Sequence, residues 1–228
     1  GFSACMSGCC HANIHEDVTY TGNTRQGCTK CHMMSTAGDL NGYHHADDSN
    51  LVVGSAVGDT DGYYRFLSGH YSGEGHGVCG IEDSDWQHTK SASDHNEYLG
   101  FVGAHGASAS FSALGHTMTA YCCGCHGNFH IQDSSGQWIR HPSDAVLPTA
   151  GEYAAYTSYN PVVPVARPSL TAVSSTVTPG TDMVMCLSCH VPHGSPNDDL
   201  LRWDYNGMVA GGGGDDGTGC FVCHTEKD

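Results

Sequence analysis

Positive charge is scarce in this sequence. Eight Lys and Arg stand against 24 Asp and Glu, a formal net charge of −16. A chain of that sign repels phosphate backbones, which excludes nucleic-acid partners on electrostatic grounds. Long apolar runs are missing as well. The best candidates are broken by glycine or polar residues, so nothing approaches the roughly 20 apolar residues of a membrane-crossing helix. Long aliphatic side chains are few, and no long segment shows helical or alternating apolar periodicity. A conventional layered core is therefore not expected from the polypeptide alone.

What the sequence has instead is cysteine, histidine and glycine: 13, 17 and 31 of 228 residues. Eight cysteines form four C-x-x-C pairs, Cys28/Cys31, Cys122/Cys125, Cys186/Cys189 and Cys220/Cys223. Each pair is followed at once by histidine: His32, His126, His190 and His224. Two thiols at this spacing can both form thioethers to the vinyl groups on one porphyrin edge, and the next side chain then lies beneath the iron. Paired C-x-x-C units also make zinc ribbons, but zinc does not require the trailing histidine. With histidine at about 7% of residues, four such histidines by chance have a probability of roughly 3 in 100,000. Thioredoxin-like pairs are the weaker rival, because no βαβ pattern accompanies them. The motifs predict four c-type haems.

About 57 residues per haem implies that flat apolar porphyrins form much of the core and the polypeptide wraps them. The expected fold is mostly irregular coil with short α-helices around a chain of stacked haems, and little strand. Helices belong just after or across the C-x-x-C-H segments, while Gly, Ser, Asn, Asp and Pro punctuate the rest. The whole chain, 1–228, reads as a single multihaem domain. Within it, 1–27 is a Cys/His head suited to subunit contact, and 160–182 is an extended strap marked by Pro161, Pro164, Pro168 and Pro179. The motifs recur without a fixed period, so the chain is not a solenoid.

Four histidines serve as proximal ligands, which leaves thirteen for the opposite side of each iron. Bis-histidine ligation is expected throughout, with potentials lower than Met/His would give. The distal candidates are His44, His76, His130, His141 and His193. His130 and His193 follow their motifs closely; His141 sits in an Arg-His-Pro turn whose proline fixes the backbone. His76 lies between glycines that let the chain approach a flat ring. His70, His88, His95, His105 and His116 stand behind these. At the head, Cys5, Cys10 and His11 allow a C-x4-C-H reading and a fifth haem, against a disulfide-tied knot. The five cysteines outside the motifs, Cys5, Cys9, Cys10, Cys79 and Cys123, are compatible with an oxidising compartment. Haem attachment of this type takes place on an exported chain, so a mature form with its leader removed is expected.

These residues resemble the extracellular filament-forming multihaem cytochromes, the OmcE and OmcS type of cytochrome nanowire, in their tetrahaem kind. The resemblance is carried by Tyr121 to His126 with His130, by Ile139 to Pro142, by Cys186 to His193, and by Cys220 to His224. A looser match runs through Cys28 to His32, Tyr43-His44 and Gly75 to Val78. It implies a head-to-tail homopolymer in which an N-terminal histidine, His15 or His11, ligates a haem of the next subunit. The expected role is electron transfer rather than catalysis, with other cytochromes or extracellular acceptors as partners. A multihaem reductase with one open haem and a monomeric electron shuttle are the alternatives. No transmembrane segment is expected.

Overall fold

The structure is a computed structural model, and it describes residues 78–81, 89–102, 114–123, 140–192, 195–211 and 217–227. Coil and turns dominate, with seven strands of two or three residues and two short α-helices among the described residues. The strands are β1 (Gly80–Ile81), β2 (Thr89–Ser91), β3 (Asp94–His95), β4 (Glu97–Leu99), β5 (Ala145–Val146), β6 (Ala166–Arg167) and β7 (Met183–Val184). Both helices lie on haem motifs: α1 is Met118–Cys123 and α2 is Cys186–Cys189. A 3-10 helix, Gly219–Val222, covers the start of the C-terminal motif. The expected coil-rich fold with short helices across the motifs is what the structure has.

Five strands join in the order β1-β4-β6-β7-β5. Only the β4–β6 pair is parallel, with Tyr98 opposite Ala166 and Leu99 opposite Arg167. The antiparallel pairs are Gly80↔Tyr98, Ala166↔Met183, Ala145↔Val184 and Val146↔Met183. Side chains alternate across such a sheet, and the alternation separates two apolar clusters. Met183 and Met185 enter one, with Val78, Tyr98, Leu114, Met118, Ala120, Ala166 and Leu187. Val184 enters the other, with Leu147, Tyr156, Tyr159, Val163, Val165, Val177, Val222 and Cys223. The polypeptide thus has apolar cores of its own, built by valine, methionine and tyrosine. Two-residue strands bury one side chain on each face, too short a pattern to read as periodicity.

A buried ion network ties the parallel pair together. Arg167 Nε donates to Glu97 Oε2 at 2.9 Å, and its Nη1 donates to Asp182 and, at 2.7 Å, to the Thr176 carbonyl. The Ser174 N–H donates to Glu97 Oε1 at 2.7 Å. Burial alone would raise the Glu97 pKa. Its bonds to His95, Arg167 and the Ser174 N–H outweigh that and hold the carboxyl below its ordinary value.

Candidate haem-binding site

The described motifs dock through residues that lie between their cysteines. In Cys186-Leu187-Ser188-Cys189, Leu187 is packed in the first cluster and Ser188 is fully buried. The Ser188 hydroxyl donates to the Pro164 carbonyl and accepts from the Met185 N–H at 3.0 Å. In Cys220-Phe221-Val222-Cys223, Phe221 and Val222 are both buried. In the second motif the first of these positions is Cys123, a buried thiol that burial pushes up to about 12. Anchored at their middles, the motifs leave Cys122, Cys186, Cys189 and Cys220 half-buried.

The described motifs converge. Cys122, at the end of α1, brings its thiol within hydrogen-bonding reach of Cys186, at the start of α2; this contact, then those from Ser143 and Thr119, lowers the Cys186 pKa. Thr119 Oγ1 lies 3.9 Å from Cys186 Sγ and donates to Asp144 Oδ1 at 2.8 Å. At the far end of α2, Cys189 is pushed up to about 12, first by burial and then by the neighbouring Cys220 and Cys223. Thr119 of α1 thus sets the second motif against the third, and Arg202-Trp203 runs from the Cys189 carbonyl to Gly219 at the start of the fourth. No group of three or more Cys, His, Asp or Glu among the described residues is arranged to hold a metal ion between protein side chains alone.

The histidines present one nitrogen to the protein and keep the other. His190 Nδ1 donates to the Asp199 carbonyl at 2.9 Å, and His141 Nδ1 to the Pro142 carbonyl at 2.7 Å. A carbonyl only accepts, so in the neutral form of either ring Nε2 carries the lone pair, the state iron binding requires. Asp199 has φ 54, a left-handed conformation that aims its carbonyl at His190. His224 Nδ1 lies 3.2 Å from Glu152 Oε1, in ion-pair range though not on a straight N–H line. Its ring also meets Tyr153 edge-on, with centroids 5.1 Å apart. His141 is solvent-exposed, yet desolvation by nearby protein atoms still lowers its pKa below the ordinary histidine value.

His95 belongs to another class. Its Nδ1 bonds the Ser91 carbonyl at 2.9 Å, its Nε2 meets Glu97 at 3.2 Å, and its ring stacks on Tyr159 at 3.6 Å. With both nitrogens engaged and no exposed surface, it is a structural histidine. Of the remaining candidates, Cys28, Cys31, His32, Cys125, His126, His15, His44, His76, His130 and His193 lie outside the described residues.

Sequence reading missed Arg202, although it is one of only eight Lys and Arg. Its backbone N–H donates to the Cys189 carbonyl at 2.9 Å and its Nε to the Leu187 carbonyl at 2.6 Å. The Nη2 is buried with no partner in the polypeptide. A guanidinium keeps its charge, and an unmet donor against the third motif fits a group that carries carboxylates, as haem does. The thiols, the histidine tautomers and this donor all fit haem.

Residues 178–228 match the family described as the doubled CXXCH motif. The matched segment holds Cys186 to His190 and Cys220 to His224, two C-x-x-C-H motifs of the kind that attach haem c. Among solved structures the chain is similar to the outer membrane cytochrome S filament from Geobacter sulfurreducens, at 20% identity and a TM-score of 0.42. That match covers 63% of this chain and 40% of the other. No curated protein matches. Among the described residues, no helix is long and apolar enough to cross a membrane.

Proposed function

We propose that the protein is an extracellular electron carrier with four bis-histidine haems, assembling head to tail into a filament for long-range electron transfer. The observation that carries the electron-transfer reading is the meeting of Cys122 with Cys186. Each cysteine belongs to a different motif, so the porphyrin edges they would hold would lie next to each other. Arg202-Trp203, bonded to the Cys189 carbonyl and packed against Gly219, does the same for the third and fourth motifs. Close edges make electron hopping between haems efficient, and no substrate-sized opening is needed for it.

The thioether cysteines are Cys28, Cys31, Cys122, Cys125, Cys186, Cys189, Cys220 and Cys223; the proximal ligands are His32, His126, His190 and His224. Bound haem supplies a one-electron iron couple whose potential the axial ligands, burial and hydrogen bonds set. The protein's part is to fix ring orientation through the Asp199 carbonyl at His190, and to place Arg202 where a propionate can meet it. The sequence resemblance supports polymerisation, with His15 or His11 ligating the Cys122–His126 haem of the next subunit.

The direct test is intact mass under reducing, denaturing conditions. Thioether-bound haem survives both, so the mass is expected to exceed the apoprotein by four haem increments. Five would add the Cys5, Cys10 and His11 site; fewer than four would overturn the tetrahaem reading. Oxidised protein is expected to be low-spin throughout by EPR, and negative-stain images of native protein are expected to show filaments.

A further inference from the structure

We infer that His141 and His224 are the two axial ligands of a single iron, that of the haem carried by Cys220 and Cys223. The inference deepens the proposed function and rests on its haem-binding part. The two rings have centroids 6.3 Å apart and planes at 85°. A ligating imidazole nitrogen sits about 2 Å from its metal, with the ring centre about 1 Å beyond, so two trans imidazoles have centroids about 6 Å apart. The observed separation leaves room for one iron between the rings.

Two aromatic rings also pack edge to face at centroid distances of about 4.5–7 Å, so separation alone does not distinguish ligation from contact. The partners of the two Nδ1 atoms favour ligation. His141 Nδ1 donates to the Pro142 carbonyl at 2.7 Å, and His224 Nδ1 lies 3.2 Å from Glu152 Oε1. Metal-ligating histidines characteristically present their non-ligating nitrogen to a carbonyl or carboxylate, which fixes tautomer and ring orientation. His95 supplies the contrast, stacked face to face on Tyr159 with both nitrogens engaged.

The fold delivers the two rings to this spot from chain segments far apart in sequence. His141 and Pro142 lead into β5, which pairs with β7 at Ala145↔Val184 and Val146↔Met183. His224 follows the Gly219–Val222 turn, whose Val222 packs with Leu147 and Val184 in the second cluster. The C-terminus is also fastened to the segment after β5. The Thr225 hydroxyl donates to the Glu152 carbonyl at 2.6 Å, and Lys227 Nζ is 3.2 Å from Glu152 Oε1. The ligand pair is thus set by the same sheet and cluster that hold the motif.

The test uses the full chain, expressed with its haems. In His141→Ala, haem mass is expected to stay unchanged while one ferric haem becomes high-spin by EPR and one equivalent of CO binds after reduction. Added imidazole is expected to restore the low-spin signal. In His141→Met that haem is expected to stay low-spin with a raised potential. Assignment to the fourth haem comes from removing it with Cys220→Ser, Cys223→Ser and His224→Ala. On that background His141→Ala is expected to create no high-spin haem. Low-spin iron throughout in His141→Ala would overturn the inference, and so would a high-spin haem persisting when the fourth is absent. If the variants load haem poorly, wild-type EPR decides. Perpendicular imidazole planes give a strongly anisotropic low-spin signal at low field, and its absence would also overturn the pairing. Absence of thioether-bound haem from the wild type would overturn the cytochrome reading itself, and mass separates that outcome from failure of His141 alone.

Discussion

Arg167 answers for two buried carboxylates at once, Glu97 and Asp182, and Glu97 also meets His95 Nε2 at 3.2 Å. Taking away one partner of a buried charge cluster leaves the other charges uncompensated, at a cost of about 3–5 kcal/mol. Arg167→Met is therefore expected to lose about that much stability in urea unfolding at neutral pH. The pH dependence follows from Glu97. Its pKa in the folded chain lies below the ordinary value. The stability it contributes is fully present above its unfolded pKa of about 4.3 and is lost as pH falls through the lowered folded value. The gap between wild type and Arg167→Met should thus narrow on acidification below the ordinary carboxylate range. A gap that stays constant through that range, or an initial loss under about 1 kcal/mol, would show that the network is not what joins β4 to β6.

At the scale of elements, the C-terminal motif is shaped by the residue before it. Gly219 has φ +48, and a Cβ there would sit 2.5 Å from Met208 Sδ and 3.0 Å from the Trp203 ring. Gly219→Ala is expected to cost on the order of 1–3 kcal/mol through backbone strain, with further loss unless Met208 moves aside. Thermal unfolding measures the loss, while unchanged haem mass would show that attachment itself survives. Equal melting temperatures for variant and wild type would mean that the turn adapts freely. The position shows how far these elements could be read from sequence. Helical turns across the motifs were legible, because C-x-x-C-H spacing demands that both thiols and the imidazole address one ring. The five-stranded sheet was not, since strands such as Ala166–Arg167 and Met183–Val184 carry two residues each and show no alternation. Glu152 and Arg202 were equally hidden: each acts through a contact far away in sequence that no local pattern announces. His95 and His141 were alike as letters. Only the partners on their ring nitrogens tell a structural histidine from a candidate ligand.

For the whole molecule, the proposed filament raises the question of how a row of haems would continue beyond one chain. The described motifs are joined in space, the second to the third through Thr119 and Cys186, and the third to the fourth through Arg202-Trp203. A row with two ends joins into a longer one when the end of one copy meets the start of the next. Such a contact is head to tail, and where its rotation does not close into a ring it generates an open helical filament. In the proposed assembly the N-terminal head supplies the means, its His11 and His15 following Cys5, Cys9 and Cys10 outside any C-x-x-C-H motif. Cross-linking within the head would reduce the entropy lost when it docks. An imidazole from the head on the Cys122–His126 haem of the next copy would make each junction a metal–ligand bond. His15→Ala, with full haem loading verified by mass, is accordingly expected to give short or absent filaments in negative stain. The same sample should show one high-spin haem per chain, since the junction ligand is lost from every copy. Wild-type protein, by contrast, should show that signal only when filaments are broken, in proportion to the exposed ends. Filaments of normal length after removing both His15 and His11 would rule out the head as the bridging donor.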